Sequence, residues 1–165
     1  MKRNNSGITL IVLVLTIIVL IIIASITAYE GKELISKSKV QTLKTNMLTI
    51  QAKAKSYAEE IDAKIWTESD KDVKRNEEFS KKGFNNPSYN IDNKYINIDT
   101  SDYVAFIISP EGLSSMGLEE IKNEQYMVIY DKEDFKKMDV IYLNGVNYKK
   151  TMYYTLSNLQ SVLSD

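Results

Sequence analysis

Asp131, Glu133, Asp134 and Asp139 are the densest set of potential cation ligands in the chain. Hard divalent cations take oxygen donors, so Ca²⁺ is the ion such a set would suit. The spacing does not reproduce the calcium-loop pattern, the expected glycine is missing, and Lys132, Lys136 and Lys137 offset the charge. An ordinary charged turn between strands is the simpler reading, and no metal site is expected. Other chemistry is limited by what the chain lacks. It has no Cys and no His, which removes disulfides, thiolate nucleophiles, Fe–S clusters, Ser-His-Asp triads and the usual catalytic zinc sites. With imidazole, the commonest general acid or base, also gone, no enzyme activity and no cofactor are expected. The eleven tyrosines fall mostly in strand-like runs, where they act as half-buried sheet residues.

The elements that must carry any function are unevenly composed. Of 165 residues, 44% are hydrophobic and 26% charged, yet no charged residue occurs from Asn4 to Tyr29. The run Ile8 to Ala28 is interrupted only by Thr9, Thr16, Ser25 and Thr27. As a helix it rises about 31 Å, the thickness of a bilayer hydrocarbon core. A soluble core helix seldom carries Ile, Val and Leu on every face. The run is therefore membrane-competent, and Lys2 and Arg3 place its start in the cytoplasm. It is too long for the apolar region of an ordinary signal peptide.

Helical patterning continues beyond it. Val40, Leu43, Met47, Ile50, Ala54, Tyr57, Ile61 and Ile65 recur at spacings of three and four, which predicts an amphipathic helix with one apolar stripe. Gly31 is the sole glycine between Ile8 and Trp66, and no proline precedes Pro87. A continuous helix over Ile8–Trp66 would be about 88 Å long. The stripe is expected to pack on a sheet supplied by later residues; a coiled-coil dimer is the alternative. Gly31 offers a place for a bend or for local melting.

Residues 67–93 are polar and charged, and are expected to form a long surface connection with a turn at Asn85-Asn86-Pro87-Ser88. Strands are predicted at 94–99, 103–108 and 126–131. Ser109-Pro110-Glu111 reads as a helix start, with Leu113, Met116, Leu118 and Ile121 on its apolar face. Asn144-Gly145 between Asp139–Leu143 and Val146–Tyr148 predicts a type I′ hairpin, with Met152-Tyr153-Tyr154 extending the last strand. Thr155 or Ser157 is placed to cap a terminal helix bearing Leu159 and Leu163. The fold class is α+β: a long N-terminal helix whose second half packs on an antiparallel sheet of three to five strands.

Gly7-Ile8-Thr9-Leu10-Ile11, after a short basic leader and before a long apolar helix, resembles the type IV prepilin signal. The resemblance implies that residues 1–7 are a leader and that prepilin peptidase cuts between Gly7 and Ile8 and methylates the new Ile8 amine. It further implies a filament core over 8–28, a helical continuation over 29–66 and a C-terminal globular region over 67–165. Assembly would then run through Ile8, Thr9, Leu10, Ile11 and Val12. Partners would be copies of the chain or related pilins, with membrane lipid before assembly. The precursor would sit in the cytoplasmic membrane and the mature chain in a surface filament. Val12 stands where the family usually has a glutamate, a carboxylate thought to pair with a neighbouring subunit's N-terminal amine. Its absence leaves a minor subunit, a relaxed lineage or a non-assembling anchor. The lack of Cys with abundant Lys, Asn and Ile fits a Gram-positive source. Residues 67–165 hold 12 Lys or Arg against 17 Asp or Glu, so direct nucleic-acid binding is not expected; Lys149-Lys150 is the one local exception.

Overall fold

The computed structural model describes residues 6–65, 69–86, 95, 103–132, 134 and 137–163; within the first helix the side chains are described over 13–21 and from 34 onward. Helix α1 runs from Ser6 to Lys64, unbroken through Gly31. The chain divides into two compact units, Met1–Lys39 and Val40–Asp165. The division falls inside α1, because the helix from Val40 onward shares one core with the sheet.

In the larger unit, α1 is followed by α2 (Lys71–Lys81), β1 (Phe84–Asn85), β2 (Tyr103–Ile108), α3 (Pro110–Ser115), a 3-10 turn at Glu119–Ile121, β3 (Tyr126–Asp131), β4 (Met138–Tyr148), β5 (Thr151–Thr155) and α4 (Leu156–Val162). The five strands form one sheet in the order β1-β2-β3-β4-β5, each antiparallel to its neighbour. This is the expected α+β layout.

The α1 stripe is the spine of the core. Val40, Leu43, Met47, Ile50, Ala54, Ala58, Ile61 and Ile65 are buried against Phe106, Val128, Tyr130 and Val140 of the sheet. Burying each large side chain of this kind is worth roughly 1.5–3 kcal/mol, which outweighs any propensity term over the same stretch. Gln51 also ties the helix to the sheet, its Nε2 donating to the Met138 carbonyl at 2.6 Å.

Strand β3 is central, and Tyr126 to Tyr130 are all buried. Its alternate residues serve two cores. Tyr126, Val128 and Tyr130 face α1, whereas Met127 and Ile129 join Ala105 and Ile141 in a second cluster. Tyr95 packs on that second cluster, its ring edge-on to Tyr154 at 5.3 Å. The strand expected at 94–99 lies outside the described residues apart from Tyr95, which sits in a turn.

Three expectations are corrected. The connection 67–93 is not all loop: it contains α2 and β1. Helix α2 gives no periodic signal because Phe79 is its one buried residue, yet Phe79 stacks on Phe106 at 4.7 Å and meets Phe84 edge-on at 5.5 Å. The helix after Ser109 is shorter than its apolar pattern. The Ser109 hydroxyl accepts from the Gly112 N–H, but Gly117, at φ +80°, ends the turn. Leu118 and Ile121 then pack from the 3-10 turn.

The third correction is the hairpin. Asn144-Gly145 lies within β4, and the two-residue turn is Lys149-Lys150, with φ of 48° and 68°. Tyr148 pairs with Thr151 and Val146 with Tyr153, but Ile141 pairs with Thr155. Residues 142–145 therefore oppose Tyr154 alone, making a wide bulge in which Gly145 adopts φ +66°. The Tyr154 ring packs so closely over Gly145 that a Cβ there would lie 2.6 Å from it. Placing the turn at 149–150 keeps β4 long enough to pair with both neighbours. It also brings Thr155 to cap α4, accepting from Asn158 N–H at 3.2 Å, and puts Leu156 and Leu159 in the core.

Candidate assembly surface

The residues singled out for processing and assembly occupy the start of α1. Ser6 is its first residue, so Gly7, Ile8, Thr9, Leu10, Ile11 and Val12 have helical backbone; their side chains are outside the described set. From Leu13 to Ile21 the side chains are described, and every one is exposed. The eight large apolar groups of this stretch range from 44% exposure at Val19 to 64% at Leu20. Soluble surfaces rarely present contiguous apolar area of this kind without a partner to cover it. Thr16 is the stretch's one polar side chain, and its hydroxyl donates to the Leu13 carbonyl at 2.8 Å. Leu34 and Ile35 are likewise exposed. Among the described residues, no helix is long and apolar enough to cross a membrane; the described part of the apolar run is the stretch from Leu13 to Ile21.

The acidic set is dispersed to other tasks. Asp131 lies 3.6 Å from the Lys137 ammonium and accepts from the Asp134 N–H. Asp139 accepts from the Ser157 hydroxyl at 2.6 Å and the Ser157 N–H at 3.2 Å, which fixes the entry into α4. Glu133 lies outside the described residues. Among the described residues, no three His, Cys, Asp or Glu side chains converge to hold a metal.

The described tyrosines of the inner sheet face act as core residues. Burial pushes the Tyr130 hydroxyl up to about 12, and the Arg75 guanidinium beside it opposes that rise. The same hydroxyl is fully enclosed without a partner in hydrogen-bonding geometry. Burial also raises the Tyr126 hydroxyl, which donates to Glu124 at 2.7 Å.

Charge pairs that the spacing of the sequence does not reveal hold α2 to the end of α1. Arg75 donates from Nε to Asp62 at 2.9 Å, Lys82 reaches Glu60 at 3.1 Å, and Glu78 bridges Lys64 and Lys81. Hydrogen bonds from Lys64 and then Lys81 hold the Glu78 carboxyl at about 2, well below its ordinary value. Apart from the local Glu78–Lys81 pair, these contacts join residues 13 to 22 positions apart, beyond the range in which periodicity is informative. Exposed pairs each contribute little to stability, so Phe79 is the principal anchor of α2. Comparison with known protein families, curated proteins and solved structures finds no match to the chain.

Proposed function

We propose that the chain is a pilin-like structural subunit of a type IV pilus or of a secretion- or competence-type filament. It would be made as a single-pass precursor with its leader in the cytoplasm and its globular unit outside. Prepilin peptidase would remove residues 1–7 and methylate Ile8. The apolar run would then leave lipid and pack against the same run in neighbouring copies. An all-apolar helix suits either surroundings, because association of such helices rests on packing and not on withdrawal from water. No catalytic residue is needed; the chemistry is done to the chain, at Gly7 and Ile8.

The observation that carries this reading is the exposure of Leu13 to Ile21 on all sides of α1, while the other half of the same helix buries a single stripe. The motif Gly7-Ile8-Thr9-Leu10-Ile11 supplies the processing chemistry. The intact mass of the protein from its native membrane or shed filaments tests it. The expected mass lacks Met1–Gly7 and includes one added methyl; a full-length chain would sink the proposal.

Val12 favours a second reading, an uncleaved membrane-anchored protein whose outer unit binds a ligand or partner. Without a carboxylate at that position, the usual pairing with a neighbour's amine is missing. Replacing Gly7 separates the two: maturation stops in the pilin-like case and nothing changes in the anchored one.

A further inference from the structure

Charge on α1 is segregated in a way that its core-packing role does not require. Between Glu33 and Glu59 the sequence has no Asp or Glu, yet Lys37, Lys39, Lys44, Lys53 and Lys55 fall in that interval. Within the larger unit, Lys53 is exposed and Lys44 and Lys55 are half-buried. None of these three has an ion-pair partner among the described residues. Of the acids just beyond them, Glu60 pairs with Lys82 and Asp62 with Arg75, while Glu59 is exposed one turn past Lys55.

At 100° per residue, Lys44 and Lys55 border one edge of the buried stripe and Lys53 borders the other. The outward face between them carries Thr45, Leu48 and Ala52, all exposed. Thr45 donates its hydroxyl to the Gln41 carbonyl at 3.0 Å, so even this polar group is turned to its own backbone. The result is a short, uncharged strip of modest side chains between two lysine edges. Another protein surface can approach it closely, and lysines wait on both sides of the contact. The complementary charge is present in the same sequence: residues 67–165 carry 12 basic and 17 acidic residues, a net of -5.

We propose that Lys44, Lys53 and Lys55 form a docking surface for the acidic globular region of a second copy of this chain. This rests on the reading that copies assemble, and it adds what sets their approach and register. The apolar run is non-directional and lets helices slide, whereas placed charges steer encounter and penalise wrong registers.

The test is sedimentation of the full-length chain in a nonionic detergent, at 50 and 500 mM NaCl. Detergent covers the apolar run, leaving the globular unit to report. The expected result is self-association that weakens at least about tenfold at the higher salt, where the Debye length has shrunk to a few ångströms. K44Q/K53Q/K55Q should weaken it about tenfold at low salt, as the loss of three surface charge pairs implies. K44R/K53R/K55R should restore it. A wild-type chain that is monomeric at both salts, or a Gln variant that associates as the wild type does, overturns the proposal. So does a Gln variant that keeps its self-association but loses binding to phosphatidylglycerol vesicles, since the lysines would then serve lipid. Maturation at Gly7 in the Gln variant is read separately: processing intact with association unchanged removes the lysine surface and leaves the pilin-like reading standing.

Discussion

Helix α1 contains two solutions to the same problem. Over Leu13 to Ile21 it is apolar on every face, and every side chain lies open. Over Val40 to Ile65 it sets a stripe of apolar groups at spacings of three and four, and the core covers that stripe to 8% exposure or less, with Leu48 and Ala52 left exposed outside it. Tyr57, at the edge of the stripe, is only partly buried. The contrast shows that hydrophobic content does not decide how a helix is used. The stripe of the second stretch is covered by its own chain, and the side chains of the first are left open by the described residues.

Charge placed in each stretch gives the sharpest test of that contrast. Ile50→Asp puts an unpaired carboxylate in the core and should cost more than about 4 kcal/mol, enough to unfold the larger unit. Ile18→Asp should leave the melting of that unit within about 0.5 kcal/mol of wild type, while blocking membrane insertion or assembly. Circular dichroism melts of both, beside membrane fractionation, would break the comparison if Ile18→Asp also unfolded the protein.

A smaller effect concerns α2, which is polar and still part of the core. Phe79→Ala removes its one buried group and should destabilise by about 3–5 kcal/mol in urea titration. A change below about 1 kcal/mol would mean that the ion pairs, not the aromatic stack, hold α2.

The hairpin tip should respond in the opposite direction. Lys149 and Lys150 both occupy left-handed conformations that cost an L-residue with a Cβ about 1–2 kcal/mol. K149N/K150G should therefore stabilise the larger unit by about 1 kcal/mol in thermal melts. Destabilisation would show that the lysines make compensating contacts; Lys149 does lie 5.4 Å over the Tyr148 ring.

The smallest expected effect is on acidification. Lys64 and Lys81 lower the Glu78 carboxyl in the folded chain from 4.5 to about 2. A depressed carboxylate stabilises above its unfolded pKa and loses that contribution as pH falls through its folded one. The link between α2 and α1 should loosen between pH 4.5 and about 2, seen as a chemical-shift change at Phe79. Glu78→Gln should show no such transition.

The α1 stripe was the most legible feature of the sequence, because every member faces one partner surface at a regular angle. Ala58 escaped it: Tyr57 is larger and fits the same spacing, but Ala58 is the residue that sits flat against the sheet, at 2% exposure. Helix α2 was illegible for the reason Phe79 shows, since a helix held by one aromatic and long-range charge pairs has no period. Strand β3 could be read as a strand, but not its central place in the sheet, because strand order is set by long-range pairing that no local pattern carries. At Asn144-Gly145 local turn preference gave way to tertiary pairing, and the glycine's positive φ was spent on a bulge under Tyr154. As for the candidate site, the apolar run was visible as composition. The lysine surface was not, because its signal is the absence of acids over a long interval and not a pattern in the lysines themselves.

The Thr16 hydroxyl, bonded to the Leu13 carbonyl, has a consequence for reversibility. From Leu13 to Ile21 the helix brings its hydrogen-bond inventory with it, and nothing in that stretch has to be made or broken when its neighbours change. Exchange of one dry environment for another then runs close to energetic parity, governed by packing alone. On the proposed reading, passage of this stretch between lipid and protein would then include no step that commits it.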